Sequence, residues 1–194
     1  MQPLLLFSRA VDRMNAGFAV IADYCILFAV LISAANAGVL WLDGRLPDGL
    51  NPIPDGIINN FSNSFLEIQW YLFAAVVMLG ASYTLKLNGH VRVDILYSSL
   101  SDRGRLLIDI FGLLVFMMPI VSFFLWLSWP FFWQSFVSSE MSNNAGGLIL
   151  WPAKLMLPLG FFLLWLQGLS ELIKRLAAMM GLIKLETKYD KPLQ

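Results

Sequence analysis

Asp23 is a carboxylate set inside the first long apolar run of the chain. A charge in such a place is costly, and by default it marks an ion path, a proton relay or a contact with a specific partner. Even a helix that begins near Ala10 leaves Asp23 roughly 20 Å along it, too deep to reach water easily. No second intramembrane carboxylate accompanies it to share a cation. A buried polar contact is therefore expected, within the chain or with another subunit. His90-Val91-Arg92-Val93-Asp94 offers a base and a carboxylate close together. An acyltransferase motif needs His-x4-Asp; here the spacing is His-x3-Asp, and no second motif follows. His90 is the single histidine, which excludes two-histidine haem ligation within one subunit and leaves a zinc site short of ligands. The segment reads as a turn plus an interfacial helix, with Arg92 and Asp94 pairing locally or with a partner.

Three further groups hold chemistry-bearing side chains. Glu67, Gln69 and Tyr71 open the second apolar run beside Trp70, as an interfacial cluster. Either a solvated helix start, with Glu67 favoured by the helix dipole, or a partner contact accounts for it. Glu140-Met141-Ser142-Asn143-Asn144-Ala145-Gly146-Gly147 suits a tight turn and lacks the Gly-Lys-Ser/Thr of a phosphate loop. Trp151-Pro152-Ala153-Lys154 then starts a helix, with Pro152 in its first turn and Lys154 snorkelling to headgroups. Gln167, Ser170, Glu171 and Lys174 fall at i, i+3, i+4, i+7, one polar stripe in which Glu171 and Lys174 can pair. The stripe is either a solvated exit from the membrane or a subunit contact. The single cysteine, Cys25, permits no internal disulfide.

The elements that position these residues follow from composition. The chain has 194 residues, 58% hydrophobic and 13% charged, where soluble domains run near a quarter charged. So apolar a chain cannot coat a water-facing surface. Its net charge of zero excludes the basic face of a nucleic-acid binder. Four runs are long enough to cross a core of about 30 Å, which takes about 20 helical residues. They cover about 16–42, 65–87, 106–137 and 148–180 of a single membrane domain. Ala35-Asn36-Ala37 looks like a cleavage site, but the run before it is too long for a signal peptide and reads as a retained span. Only helices satisfy every backbone amide inside lipid, and the ten-residue alternation of a membrane barrel is absent.

The fold expected is an all-α integral membrane protein with four transmembrane helices and both termini cytoplasmic. Eleven of the 13 basic residues fall in the N-terminal arm, between Lys86 and Arg105, and in the tail, against Arg45 and Lys154 on the other side. Trp129, Trp133 and Trp151 then mark the outer interface. Pro119 and Pro158 should bend their helices. Gly80, Ala81, Ser82 and Gly160 permit close helix approach. The outer loop 43–64, rich in Pro, Gly, Asn and Asp, is expected as an irregular cap. Short interfacial amphipathic helices are expected in the N-terminal arm, around Arg9, Asp12 and Arg13, and at Val93, Leu96, Tyr97 and Leu100. Ser101 can cap the third span.

No paired catalytic groups, metal ligands or cofactor motif stand out, so an enzyme is not expected, nor a cofactor. Three classes compete: a scaffold subunit docked to a larger membrane partner, a self-contained homo-oligomeric channel or carrier with Asp23 lining a pathway, and a membrane enzyme or cytochrome subunit. Spans two and three have almost no mid-span charge, whereas a self-sufficient carrier needs polar groups or broken helices at the midplane.

The second half of the chain resembles the small membrane subunit of tripartite ATP-independent periplasmic transporters, the Q-type or DctQ-like family. The likeness rests on an ordered run of patterns from Leu66 to Lys174: Glu67-x-Gln69-x-Tyr71, then His90-Val91-Arg92-Val93-Asp94, then Asp102-Arg103 and Asp109. Glu140-x-Ser142, Trp151-Pro152-x-Lys154, Gln167-Gly168 and Glu171 complete it. The outer loop from Asp43 to Ser64 is longer than in many members. The resemblance implies a bacterial inner-membrane protein that scaffolds a large elevator-type subunit. That subunit would carry the substrate and sodium sites, and a periplasmic substrate-binding protein would deliver an organic acid. By that likeness this chain binds no substrate. Asp23, Glu67, Gln69, Tyr71, His90, Arg92, Asp94, Glu140, Trp151, Lys154, Gln167 and Glu171 are then candidate subunit-contact or structural polar residues.

Overall fold

Long apolar runs without an alternating polar partner close their backbone hydrogen bonds internally, and four such helices dominate the computed structural model, which describes residues 1–43, 45, 55–89 and 100–183. Helix α1 is Gln2–Asp43 and α2 is Asp55–Lys86. Helix α3, Asp102–Phe111, continues through a wider π-helical turn, Gly112–Met117, into α4, Met118–Val137. Helix α5 is Trp151–Met179. The four long helical stretches, α3 and α4 counting as one, are each long and apolar enough to cross a membrane. Four crossings return the chain to its starting side. The end where α1 begins and α5 finishes is called here the terminal end, and the opposite one the loop end.

Helices α1, α2 and α5 pack on one another, and α4 packs against α5. The central contact is small: Ala22 of α1 meets Ala75 and Leu79 of α2 and Leu163 of α5. Close approach of α2 and α5 depends on Gly160. A Cβ there would lie 2.5 Å from Met78 Cβ and 2.7 Å from the Met78 carbonyl oxygen. Gly80 plays no such part within the chain, since a Cβ there would meet nothing within 4 Å. On the other side of α5, Phe124 stacks on Phe161 at 5.5 Å. Pro130 and Pro158 face a shared apolar groove of about 620 Å³ with Trp126, Trp129 and Phe162.

Several expectations change. The N-terminal arm is not a separate interfacial helix. It runs unbroken into the first span, because its residues Ser8, Val11 and Asn15 are buried against α5 and α2 rather than laid on a headgroup layer. Half of the expected 43–64 loop is helical, as α2 reaches back to Asp55. Residues 90–99, which include His90, Arg92, Asp94 and the stripe from Val93 to Tyr97, lie outside the described residues. Ser101 does cap α3, its Oγ accepting from Gly104 N at 3.4 Å. Pro119 sits in the first turn of α4, and the backbone meets it with the π turn, where Met118 N–H reaches Leu113 O. A proline lacks the donor that a regular turn needs, and a wider turn absorbs that loss. Pro158 stands inside α5 as expected; Pro130, also inside a helix, was not singled out from sequence.

Candidate functional site: two polar layers

Polar side chains that would be stranded in lipid are gathered into two layers, one at each end of the helices. At the terminal end, α1 offers Ser8, Asp12 and Asn15, spaced i, i+4, i+7, hence on one face. Helix α5 answers with Gln167, Ser170, Glu171 and Lys174. Asn15 Nδ2 donates to Gln167 Oε1 at 2.7 Å, and Gln167 Nε2 donates to Asp12 Oδ1 at 2.9 Å and to Glu171 Oε1 at 3.1 Å. The hydroxyls of Ser8 and Ser170 lie 2.7 Å apart, and Ser170 Oγ also donates to Asp12 Oδ1 at 3.1 Å. Lys174 bridges Asp12, at 3.0 Å, and Glu171. Gln167 is 0% exposed, so its amide must find all its partners inside the protein.

The same layer recruits the other helices. Arg175 pairs with Glu171 and, at 3.1 Å, with Asp109 of α3. Its remaining nitrogen donates to Asn88 Oδ1 at 3.1 Å, just past α2. Lys86 at the end of α2 donates to the backbone oxygen of Asp12 at 3.2 Å. Three carboxylates and three cations thus interleave, which is the condition under which buried charge is tolerated. The Gln167–Lys174 stripe is neither a solvated exit nor an open docking patch, because α1 covers it. Sequence reading missed Ser8 and Asn15, placed Asp12 only on an interfacial arm and counted Arg175 only among the basic residues of the tail. The recoverable signal was the matching period of the two polar stripes.

At the loop end, Glu67 is 3% exposed. It accepts from Asn144 Nδ2 at 2.8 Å, from Leu148 N at 2.7 Å and from the Ser142 hydroxyl. Tyr71 Oη donates to Ile149 O at 2.8 Å, one turn along the same face of α2. Asn63 Nδ2 and Ser64 Oγ donate to the carbonyls of Ala145 and Gly146. The loop 138–150 is therefore clamped onto the head of α2. Its turn holds Gly146 at φ 72° and a bridge between Met141 and Ile149. Gln69 points elsewhere; its Nε2 is buried with no partner among the described residues. Trp70 is exposed, and Trp151 packs edge-on to Phe136 at 5.4 Å.

Lys154 does not snorkel to headgroups. It pairs with Glu140 and lies 4.3 Å over the Phe131 ring, because the loop folds Glu140 back above the first turn of α5. The Lys154 ammonium holds the Glu140 carboxyl below the usual carboxylate range. A carboxyl lowered in the folded state stabilises that state above its unfolded pKa of about 4.3, and the contribution is lost as pH falls through the lower folded value. Acidifying the detergent-extracted protein from about pH 7 to about pH 3 should lower the Tm of the wild type more than that of Glu140→Gln. Parallel slopes would show that the pair adds no stability.

The layers are spaced to a bilayer. Glu67 and Lys86 are about 19 residues apart on α2, and Lys154 and Lys174 about 20 on α5, so each pair spans roughly 28–30 Å at 1.5 Å per residue. That is the thickness of a hydrocarbon core. Between the layers the helices hold no charged residue except Asp23. Asp23 does not make the contact within the chain that was one of its two expected roles: it is exposed on α1 and forms no hydrogen bond or ion pair among the described residues.

A protein built this way gathers its charged side chains at its two rims and leaves only Asp23 between them, as a multi-pass membrane component would. Comparison with known families agrees: the family described as "Tripartite ATP-independent periplasmic transporters, DctQ component" matches residues 59–178, more than half of the chain. The match covers the loop-end clamp and the whole α5 side of the terminal layer, but begins after α1. No curated protein and no solved structure matches the chain. The protein is a multi-pass membrane protein with four transmembrane helices, and it belongs to the DctQ family of components of tripartite ATP-independent periplasmic transporters.

Proposed function

We propose that the chain is the small permease subunit that holds a large elevator-type subunit in the bilayer while that subunit carries out sodium-coupled uptake of an organic acid delivered by a periplasmic binding protein. The family membership supports the small-subunit role. The observation that favours scaffolding over conduction is the location of the polar groups. Most polar groups of each rim layer are tied to one another by hydrogen bonds, and the central contact between the helices is made by Ala22, Ala75, Leu79 and Leu163. A carrier needs polar ligands or interrupted helices near the midplane. Here the single charged side chain at that depth, Asp23, is exposed on α1 and stands outside the contact between the helices.

The distribution of basic residues supports a cytoplasmic terminal end, and hence a periplasmic loop end in the inner membrane. The loop-end clamp would then form part of the surface that the binding protein meets.

Two measurements test the proposal. Co-expressed with the large subunit of its own system and extracted in mild detergent, the chain should co-purify with it. Reconstituted alone, it should move no solute. Recovery as a stable, monodisperse single chain from co-expressing cells, or a sodium-driven flux through liposomes holding this chain only, would overturn the scaffold reading.

A further inference from the structure

Asp23 has a depth that the rest of the molecule defines. It lies about 11 residues beyond Asp12, or roughly 17 Å along α1 from the terminal-end layer. Its neighbour Ala22 packs on Leu79 and Leu163, which stand near the middle of the stretches from Glu67 to Lys86 and from Lys154 to Lys174. The carboxylate is therefore at mid-bilayer, exposed, and without a partner among the described residues. Its side chain is too short to snorkel to either rim, unlike a lysine.

The surface around it has the pattern of a helix seam. Ala16, Val20, Asp23, Leu27, Val30 and Ala34 follow one another at steps of four, three, four, three and four, the heptad spacing that keeps one stripe facing a partner helix. Val20, Leu27 and Val30 are each about half exposed. The alanines at the two ends of the stripe let a second backbone come close.

We propose that this stripe of α1 is an interface for a transmembrane helix of a different chain, one that presents a lysine, arginine or amide donor to Asp23 at mid-bilayer. A second copy of this chain does not fit. No unpaired cation stands at that depth on the described helices, and a symmetric pairing through the stripe sets Asp23 against Asp23. A lipid tail offers no donor. Resting on the scaffold reading, the partner is the large membrane subunit.

The test uses the co-expressed complex. Asp23→Leu should reduce recovery of the large subunit by about tenfold or more, and Asp23→Asn, which keeps a hydrogen-bonding group, by less. A photo-crosslinking residue at Leu27, introduced with Asp23 intact, should give an adduct with the large subunit, whereas one at Trp126 on α4 should not. The cross-link keeps the test decisive even where the leucine variant fails to accumulate. Undiminished recovery with Asp23→Leu, or Leu27 adducts only to lipid or to a second copy, overturns the interface and leaves the scaffold reading standing. Absence of a complex with the wild-type chain overturns both.

Discussion

Glu171→Leu will cost the detergent-extracted protein about 3–5 kcal/mol of stability, the range expected when one partner of a buried ion pair is removed. Glu171 is the node of the terminal-end layer: it accepts from Gln167, Lys174 and Arg175, and its side chain is 5% exposed. Without it, Lys174 keeps Asp12 and Arg175 keeps Asp109, but each loses its second carboxylate. The two cations then face each other across a leucine that cannot solvate either. A double-variant cycle separates this from lost packing. Adding Arg175→Leu should cost less in the Glu171→Leu background than in the wild type, because the first substitution has already removed one of the guanidinium's two carboxylates. Thermal unfolding followed by circular dichroism gives the readout. A loss below about 1 kcal/mol for Glu171→Leu would mean that water reaches the layer and that the pairs behave as surface pairs.

Gly160→Ala will also destabilise, by about 1–3 kcal/mol, the usual cost of forcing extra volume into a packed contact. The direction is informative because helix propensity alone would favour alanine over glycine by about 1 kcal/mol. The added Cβ would meet both the Cβ and the carbonyl oxygen of Met78. Truncating Met78 to alanine leaves both atoms in place, so Met78→Ala should not rescue it. Only a shift of α2 away from α5 can make room, and that opens the Ala75–Leu79–Leu163 contact. Gly80→Ala is the control: with nothing within 4 Å of its Cβ, it should be neutral or slightly stabilising. Equal behaviour of the two alanine variants would show that α2 and α5 do not approach as closely as Gly160 requires.

The spans were legible in the sequence because lipid permits so few solutions. An apolar run of 20 or more residues has to be a helix, whatever packs beside it. The caps followed from local chemistry as well, as Ser101 and Pro152 show. What escaped depended on contacts between distant segments. Gln167, Ser170, Glu171 and Lys174 were visible as a stripe, but a stripe does not say what covers it, and solvent and α1 leave the same local pattern. The N-terminal arm was ambiguous for the same reason. Its polar face suits headgroups until Ser8, Asp12 and Asn15 are placed opposite α5. Lys154 looked like a snorkelling residue because its partner, Glu140, is 14 residues back and reaches it only through a folded loop. The helical start at Asp55 was hidden by neighbouring residues of turn-forming type, whose local preference the helix overrides. Asp23 was recognised as exceptional at once, yet its surroundings were not, since apolar surface that meets lipid and apolar surface that meets protein have the same composition.

The widened turn at Gly112–Met117 has one further consequence. A helix that takes in one extra residue shifts the angular phase of everything before it by roughly 100° relative to everything after it. Asp109 stands before that offset and the α4 face that packs on α5 stands after it, so the turn sets the azimuth at which the carboxylate meets Arg175. Excising a single residue there would restore a regular α-helical turn, but it would also swing Asp109 out of reach, detuning a charge balance without altering any of the residues that compose it.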